Sequence, residues 1–160
     1  MTVALVQATP DSKLGYQGYG AVRDFWCYQG PEVILMGPYQ TGKTLACLQK
    51  LNALLAQYQG ARALMVRRTY TSLVSSAVVT YERKVLPSPP GHPKCAVRKL
   101  GASKPEMYLY PNGSSITLGG LDNPDKFLSA EFDYVYINQA EELRLDDYEK
   151  LSGRATGRAG

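Results

Sequence analysis

A short apolar run, Val33 to Met36, breaks at Gly37, and residues 37 to 44 then read Gly-Pro-Tyr-Gln-Thr-Gly-Lys-Thr. Every position of the pattern G-x-x-x-x-G-K-[ST] is met, and a helix-like sequence follows at once. The order strand, tight turn, helix is the context that a phosphate-binding loop requires. Glycines at 37 and 42 let the backbone wrap a polyphosphate with its N–H groups turned inward. Gly37, Pro38, Tyr39, Gln40, Thr41, Gly42, Lys43 and Thr44 are therefore the candidate nucleotide-binding residues. Lys43 has the reach for β- and γ-phosphates, Thr44 offers a hydroxyl to Mg2+, and the helix N-terminus adds partial positive charge.

The rest of the chain reads as alternating strands and helices. Leu48, Leu51, Leu55 and Tyr58 recur at helical spacing, and Gly60 stands where that helix would stop. Ala63 to Val66 is a short apolar strand ending in Arg67 and Arg68. Thr71 or Ser72 then offers a cap for a helix with Val74, Ala77, Val78, Tyr81 and Val85 along one face. Four prolines between 87 and 93 end it and begin a long basic loop. Residues 107–110 and 115–118 are β-prone runs across Pro-Asn-Gly, which predicts a β-hairpin. Residues 122–129 read as a polar loop, Tyr134 to Ile137 as another strand, and Asp146 to Leu151 as a short helix. Alternation of this kind with mostly apolar strands argues for a parallel α/β sheet.

The 160 residues suit one domain, and 44% hydrophobic with 20% charged residues is an ordinary globular balance. No run reaches the ~18 apolar residues of a membrane helix, and the N-terminal residues lack a signal-peptide pattern. Cys27, Cys47 and Cys95 share no metal-ligand spacing and read as reduced thiols, Cys47 inside its helix. The net charge of +4 is uneven. Arg83, Lys84, Lys94, Arg98, Lys99 and Lys104 follow one another with no acid between them. That stretch reads equally as a solvated loop or as a surface for nucleic-acid phosphates.

A nucleotide hydrolase of this class needs a second strand that brings an acid to the metal and often a glutamate to polarise water. The strand Val135 to Ile137 is followed by Asn138, Gln139, Ala140, Glu141 and Glu142. The acid pair is replaced by uncharged amides. Asn138 keeps an oxygen for a metal-bound water, while Gln139 can orient water but cannot take its proton. Glu141 and Glu142 are nearby carboxylates, readable as catalytic substitutes or as the solvated start of the last helix. Arg67 and Arg68 read as nucleotide or DNA ligands, or as ion-pair partners of a helix carboxylate.

With both motifs placed, the chain resembles the ATPase domain of tailed-bacteriophage terminase large subunits, the motors that package viral DNA. The resemblance rests on EVILMGPYQTGKTLACLQKL, on Val-Arg-Arg-Thr, and on the hairpin with Gly-Gly-Leu-Asp-Asn-Pro-Asp-Lys. It continues through the block from Glu131 to Leu143, and Leu-Ser-Gly-Arg after it. It implies an ASCE-type P-loop NTPase fold with a β-hairpin insertion, with ATP and Mg2+ as cofactors. Thr44 and Asn138 take the metal positions, and Lys43, Gln139 and Glu142 the catalytic ones. Tyr16 and Tyr19 match an adenine-side motif within residues 1–31, and residues 32–160 form the core through the Walker B helix. The implied partners are double-stranded DNA, a portal protein, a terminase small subunit and further copies of the chain in a ring, in the host cytoplasm. No DNA-binding residue is assigned. Gln139 in place of glutamate, and the lack of an arginine inside the phosphate loop, depart from the family. So does length, since nothing corresponds to the C-terminal nuclease domain. In that class, the strand after the Walker B strand lies between the two nucleotide-motif strands. The sheet is therefore expected to be incomplete, with a gap or open edge beside the phosphate-loop strand. The alternatives are a nucleotide-binding module without turnover and a helicase-like P-loop ATPase.

Overall fold

The structure is a computed structural model that describes residues 2–5 and 19–157. A seven-stranded mixed sheet is flanked by helices on both faces, in the strand order β2-β1-β7-β3-β6-β5-β4. Its centre is parallel: β3 (Arg62–Arg67) lies between β6 (Ser115–Gly120) and β7 (Tyr134–Ile137), with Leu64 opposite both Thr117 and Val135. These central strands are apolar almost throughout because both faces are covered. Ala63, Met65, Ile116, Leu118, Tyr134 and Tyr136 face one core, while Leu64, Val66, Val135 and Ile137 face the other.

The first core is roofed by helix α1 (Ala21–Cys27), helix α2 (Lys43–Gln57) and the helix after β3. That third helix starts as α3 (Tyr70–Leu73) and continues through two π-helical stretches, Val74–Val78 and Tyr81–Val85. Its cap is Thr69, whose hydroxyl accepts from the Ser72 amide, two or three residues earlier than the Thr71 or Ser72 that the sequence suggested. Ala77, Val78 and Tyr81 are buried, as their spacing predicts. The second core is closed by α4 (Asp125–Leu128) and α5 (Leu145–Ser152). The stretch expected to be a plain polar loop thus contains α4, whose Phe127 lies within 3 Å of where a Cβ on Gly119 would sit. Only glycine there admits the ring.

The predicted hairpin is present. β5 (Met107–Leu109) pairs antiparallel with β6, and Gly113 in the turn takes φ 84°, a left-handed value that glycine adopts without strain. Its turn also closes the end of α2. The Asn112 amide donates to the carbonyls of Leu55 (2.8 Å) and Ala56 (3.3 Å), and Ser114 Oγ donates to Tyr58 (2.6 Å). Those carbonyls have no partner within the helix, so a side chain must satisfy them or water must. Arg98–Leu100, expected as loop, forms the exposed edge strand β4 against β5. Lys99 on it pairs with Glu82 at 3.0 Å.

The expectation of a parallel sheet with a gap between the two nucleotide-motif strands is overturned, although β2 does stand at an open edge of the sheet. β1 (Thr2–Leu5) lies between β2 (Val33–Leu35) and β7, antiparallel to both, with Ala4 opposite Val33 on one side and Tyr136 on the other. The place is filled from the N-terminal side of the chain. Below β1, the backbone after α5 enters the same side of β7. Phe132 donates to Arg154 and accepts from Thr156, forming a parallel bridge to Ala155, while the neighbouring Asp133 amide turns the other way to Arg62 on β3. Residues 21–27 form α1, pinned to α2 by the buried Lys50. Its ammonium donates to the carbonyls of Phe25 (2.8 Å) and Tyr28 (2.7 Å), and burial pulls its pKa down to about 8. Tyr16 lies outside the described residues.

Two outcomes follow from these contacts. Asn112→Ala should lower the urea midpoint by an amount equal to about 1–2 kcal/mol, the cost of orphaning helix-end carbonyls. Ala4→Pro removes an amide from a strand paired on both sides, and should release β2 protection in hydrogen exchange while β3 and β6 stay protected.

Candidate functional site

β2 delivers the chain to Gly37 at the C-terminal edge of the sheet, where the strand directions of β2, β3, β6 and β7 agree. Ligands of open α/β sheets collect at that edge. The loop from Gly37 to Gly42 turns through three positive φ angles, 153° at Gly37, 61° at Gln40 and 79° at Gly42. Gly42 is the N-cap of α2 and carries no capping side chain, so the first amides of a 15-residue helix point out of the loop with the dipole behind them. Lys43 Nζ turns back over the loop. It donates to the Gly37 carbonyl (2.8 Å), the Pro38 carbonyl and Thr41 Oγ1 (3.1 Å), and Thr41 Oγ1 itself donates to the Pro38 carbonyl at 3.0 Å. These are weak neutral acceptors for an ammonium, and phosphate oxygens would replace them with charged ones. Tyr39 is 89% exposed and Tyr19 81%, so neither is core packing.

The second motif arrives at the same edge. The four residues of β7 are buried, and the chain then carries Asn138 and Gln139 out past Thr44. Thr44, Arg67, Ser76, Asn138 and Gln139 together line a cavity of about 400 Å³. Thus the fold brings the phosphate loop's last residue and both amides into one space. Gln139 holds φ 60° and ψ 57°, a left-handed conformation that costs a non-glycine residue of order 1 kcal/mol. Strain of this kind concentrates at functional sites. Asn138 is 3% exposed; its amide nitrogen donates to the Tyr136 hydroxyl at 3.0 Å, and its Oδ1 is buried without a hydrogen-bond partner. A buried acceptor left bare costs about 1–3 kcal/mol. Its place in the cavity beside Thr44 gives a hydrated Mg2+ an acceptor ready for a bound water, so the donor set fits that ion. No cluster of three or more His, Cys, Asp or Glu side chains exists among the described residues. The two protein donors here are neutral, and the charge that balances the ion would come from phosphates.

Glu142 and Arg67 meet each other. Arg67 Nε and Nη2 donate to the two carboxylate oxygens at 3.0 and 2.6 Å, and Nη1 donates to Ser76 Oγ at 2.9 Å. The bidentate guanidinium holds Glu142 below the usual carboxylate range. Lowered basicity works against a role as proton acceptor. Of the roles open to Arg67, the ion pair with a carboxylate is the one the side chain adopts. Tyr136 was not singled out from the sequence, since its apolar setting read simply as strand. Its spacing of two from Asn138, on one face of a strand, was the available signal. A larger cavity, about 650 Å³, lies at the end of β6 among Tyr70, Lys104, Gly119 and Phe127, away from both nucleotide motifs.

No family model matches the chain, and neither a curated protein nor a solved structure matches it. Among the described residues, no helix is long and apolar enough to cross a membrane.

Glu142→Gln should cost about 1 kcal/mol at neutral pH, a modest value because the pair is partly solvated. The native carboxyl is the more acidic, so its contribution is present above the unfolded value near 4.5 and fades as pH falls through the lower folded value. Chemical denaturation at pH 7 and pH 3 should therefore show a gap between variant and wild type that closes in acid.

Proposed function

We propose that the chain is a Mg2+-nucleotide-binding P-loop domain of the kind found in terminase large subunits, the ATPase part of a viral DNA-packaging motor. The observation that carries the nucleotide reading is the meeting of Thr44, Asn138 and Gln139 in one cavity beneath an uncapped helix N-terminus. The loop amides and Lys43 bind and orient the β- and γ-phosphates. Thr44 and Asn138 would hold Mg2+, directly or through water, which when bound neutralises charge building on the phosphates. Gln139 faces the cavity where an attacking water would stand, and its amide can orient that water. The DNA-packaging part of the reading is supported by the sequence resemblance. Grip on duplex DNA would then be sequence-independent and salt-sensitive. Portal protein, small subunit and a ring of copies belong to the same reading, as does the host cytoplasm.

One observation favours a second reading, a nucleotide binder without turnover. Neither amide can take a proton, and Glu142 is engaged by Arg67. Phosphate release separates the two. A motor loses activity in Glu142→Gln, whereas a silent binder gains it only in Gln139→Glu.

Lys43→Ala should weaken ATP binding at least about tenfold in calorimetry while leaving the thermal midpoint without nucleotide close to wild type, because this side chain is only partly buried and bonds only to its own loop. Equal affinity in the variant would sink the nucleotide reading.

A further inference from the structure

Tyr136 sits under the site rather than in it. Its ring is 1% exposed at the centre of β7, packed in the first core, and burial pushes its phenol up so that the hydroxyl stays neutral. The phenol oxygen accepts a hydrogen bond from the Asn138 amide nitrogen at 3.0 Å.

That bond has a consequence for Asn138, which can turn either end of its amide toward the phenol. With Nδ2 spent on the phenol, Oδ1 is the end left over, and it is the one buried side-chain oxygen or nitrogen without a partner among the described residues. Thr44, at the start of α2, lines the same cavity as Asn138.

We infer that Tyr136 is a positioning residue for Mg2+ in this chain, holding the Asn138 amide so that its bare oxygen is left for the ion beside Thr44. The inference rests on the nucleotide reading above and deepens it. An aspartate at 138 would present an oxygen whichever way its carboxylate turned. Asparagine presents one only when its nitrogen is turned away, and the phenol two residues earlier on the same strand face holds it so. Outer partners of this kind change metal affinity by about 10–100-fold when removed.

The test is a calorimetric titration of ATP into the whole chain, with Mg2+ and with EDTA. Tyr136→Phe keeps the ring and removes only the hydroxyl. It should lower the Mg2+-dependent gain in affinity about tenfold, leave the EDTA affinity unchanged, and shift the Mg2+ midpoint upward. Adding Asn138→Asp to that variant should restore the gain. A Phe variant with wild-type Mg2+ dependence overturns the inference, and so does an equal loss with and without Mg2+, which marks a structural role. Where Tyr136→Phe does not fold, Asn138→Leu, which removes the donor and the bare oxygen together, must show the same Mg2+-specific loss or the inference fails. A wild type that binds ATP in neither condition overturns the phosphate-loop reading together with this one. A wild type that binds ATP equally in both overturns only the magnesium assignment.

Discussion

The phosphate loop is held in place by the strand that leads into it, and β2 pairs with the rest of the sheet through β1 alone. Three residues of ladder on each side of β1 set the distance between Gly37 at the end of β2 and Asn138 at the end of β7. A slip of one residue in either ladder would move the phosphate loop along the sheet relative to Asn138. The burial of β7 on both faces makes such a slip costly at the centre of the sheet, while β2, short and with Ile34 45% exposed, gives little resistance of its own. The geometry of the site is therefore inherited from the interior of the sheet outward, with β1 as the intermediary.

A second set of constraints is polar and lies at the edge of the sheet. Arg67 ties the end of β3 to the turn after β7 through Glu142, and to the following helix through Ser76. Tyr136 holds the amide of Asn138 at the end of β7. Of the residues these two groups fix, Arg67 and Asn138 both line the 400 Å³ cavity, one charged and one neutral. Each takes hydrogen bonds that would otherwise go to water, so the walls of the cavity are fixed by donors and acceptors rather than by apolar packing. Gln139, between them, is the residue whose backbone carries the strain.

Much of the fold was legible because it follows from local rules. The strand-turn-helix around Gly37, the strand at Ala63 to Val66, the Asn-Gly hairpin and the strand at Tyr134 each carry their own signal in a few residues. What was not legible depended on distant partners. Thr2–Leu5 contains nothing that announces a central antiparallel strand, because its pairing depends on Val33–Leu35 and Val135–Ile137. Thr69 could not be told from Thr71 as a cap without knowing where β3 ends. At the site, the sequence put Lys43, Thr44, Asn138 and Gln139 in one place, and the structure brings Thr44, Asn138 and Gln139 together. Glu142 looked available as a carboxylate until Arg67, some seventy residues earlier, was seen to occupy it. Tyr136 was hidden because a buried tyrosine in an apolar run looks like packing until its hydroxyl partners are known.

The position of β1 also has a meaning in time. Leu5 has to find Val135, and Thr2 has to find Leu35, so the ladders on the two sides of β1 differ widely in the length of chain they enclose. Contacts that close long loops form late, after the local pairings of β3, β6 and the hairpin have gathered a sheet for them to join. During synthesis, the residues of β1 leave the ribosome before those of β7, and they must wait for β7 before they can take their central place. The phosphate loop also precedes β7, and by this route its final geometry is set late in folding. Nucleotide binding would then report completion of the sheet.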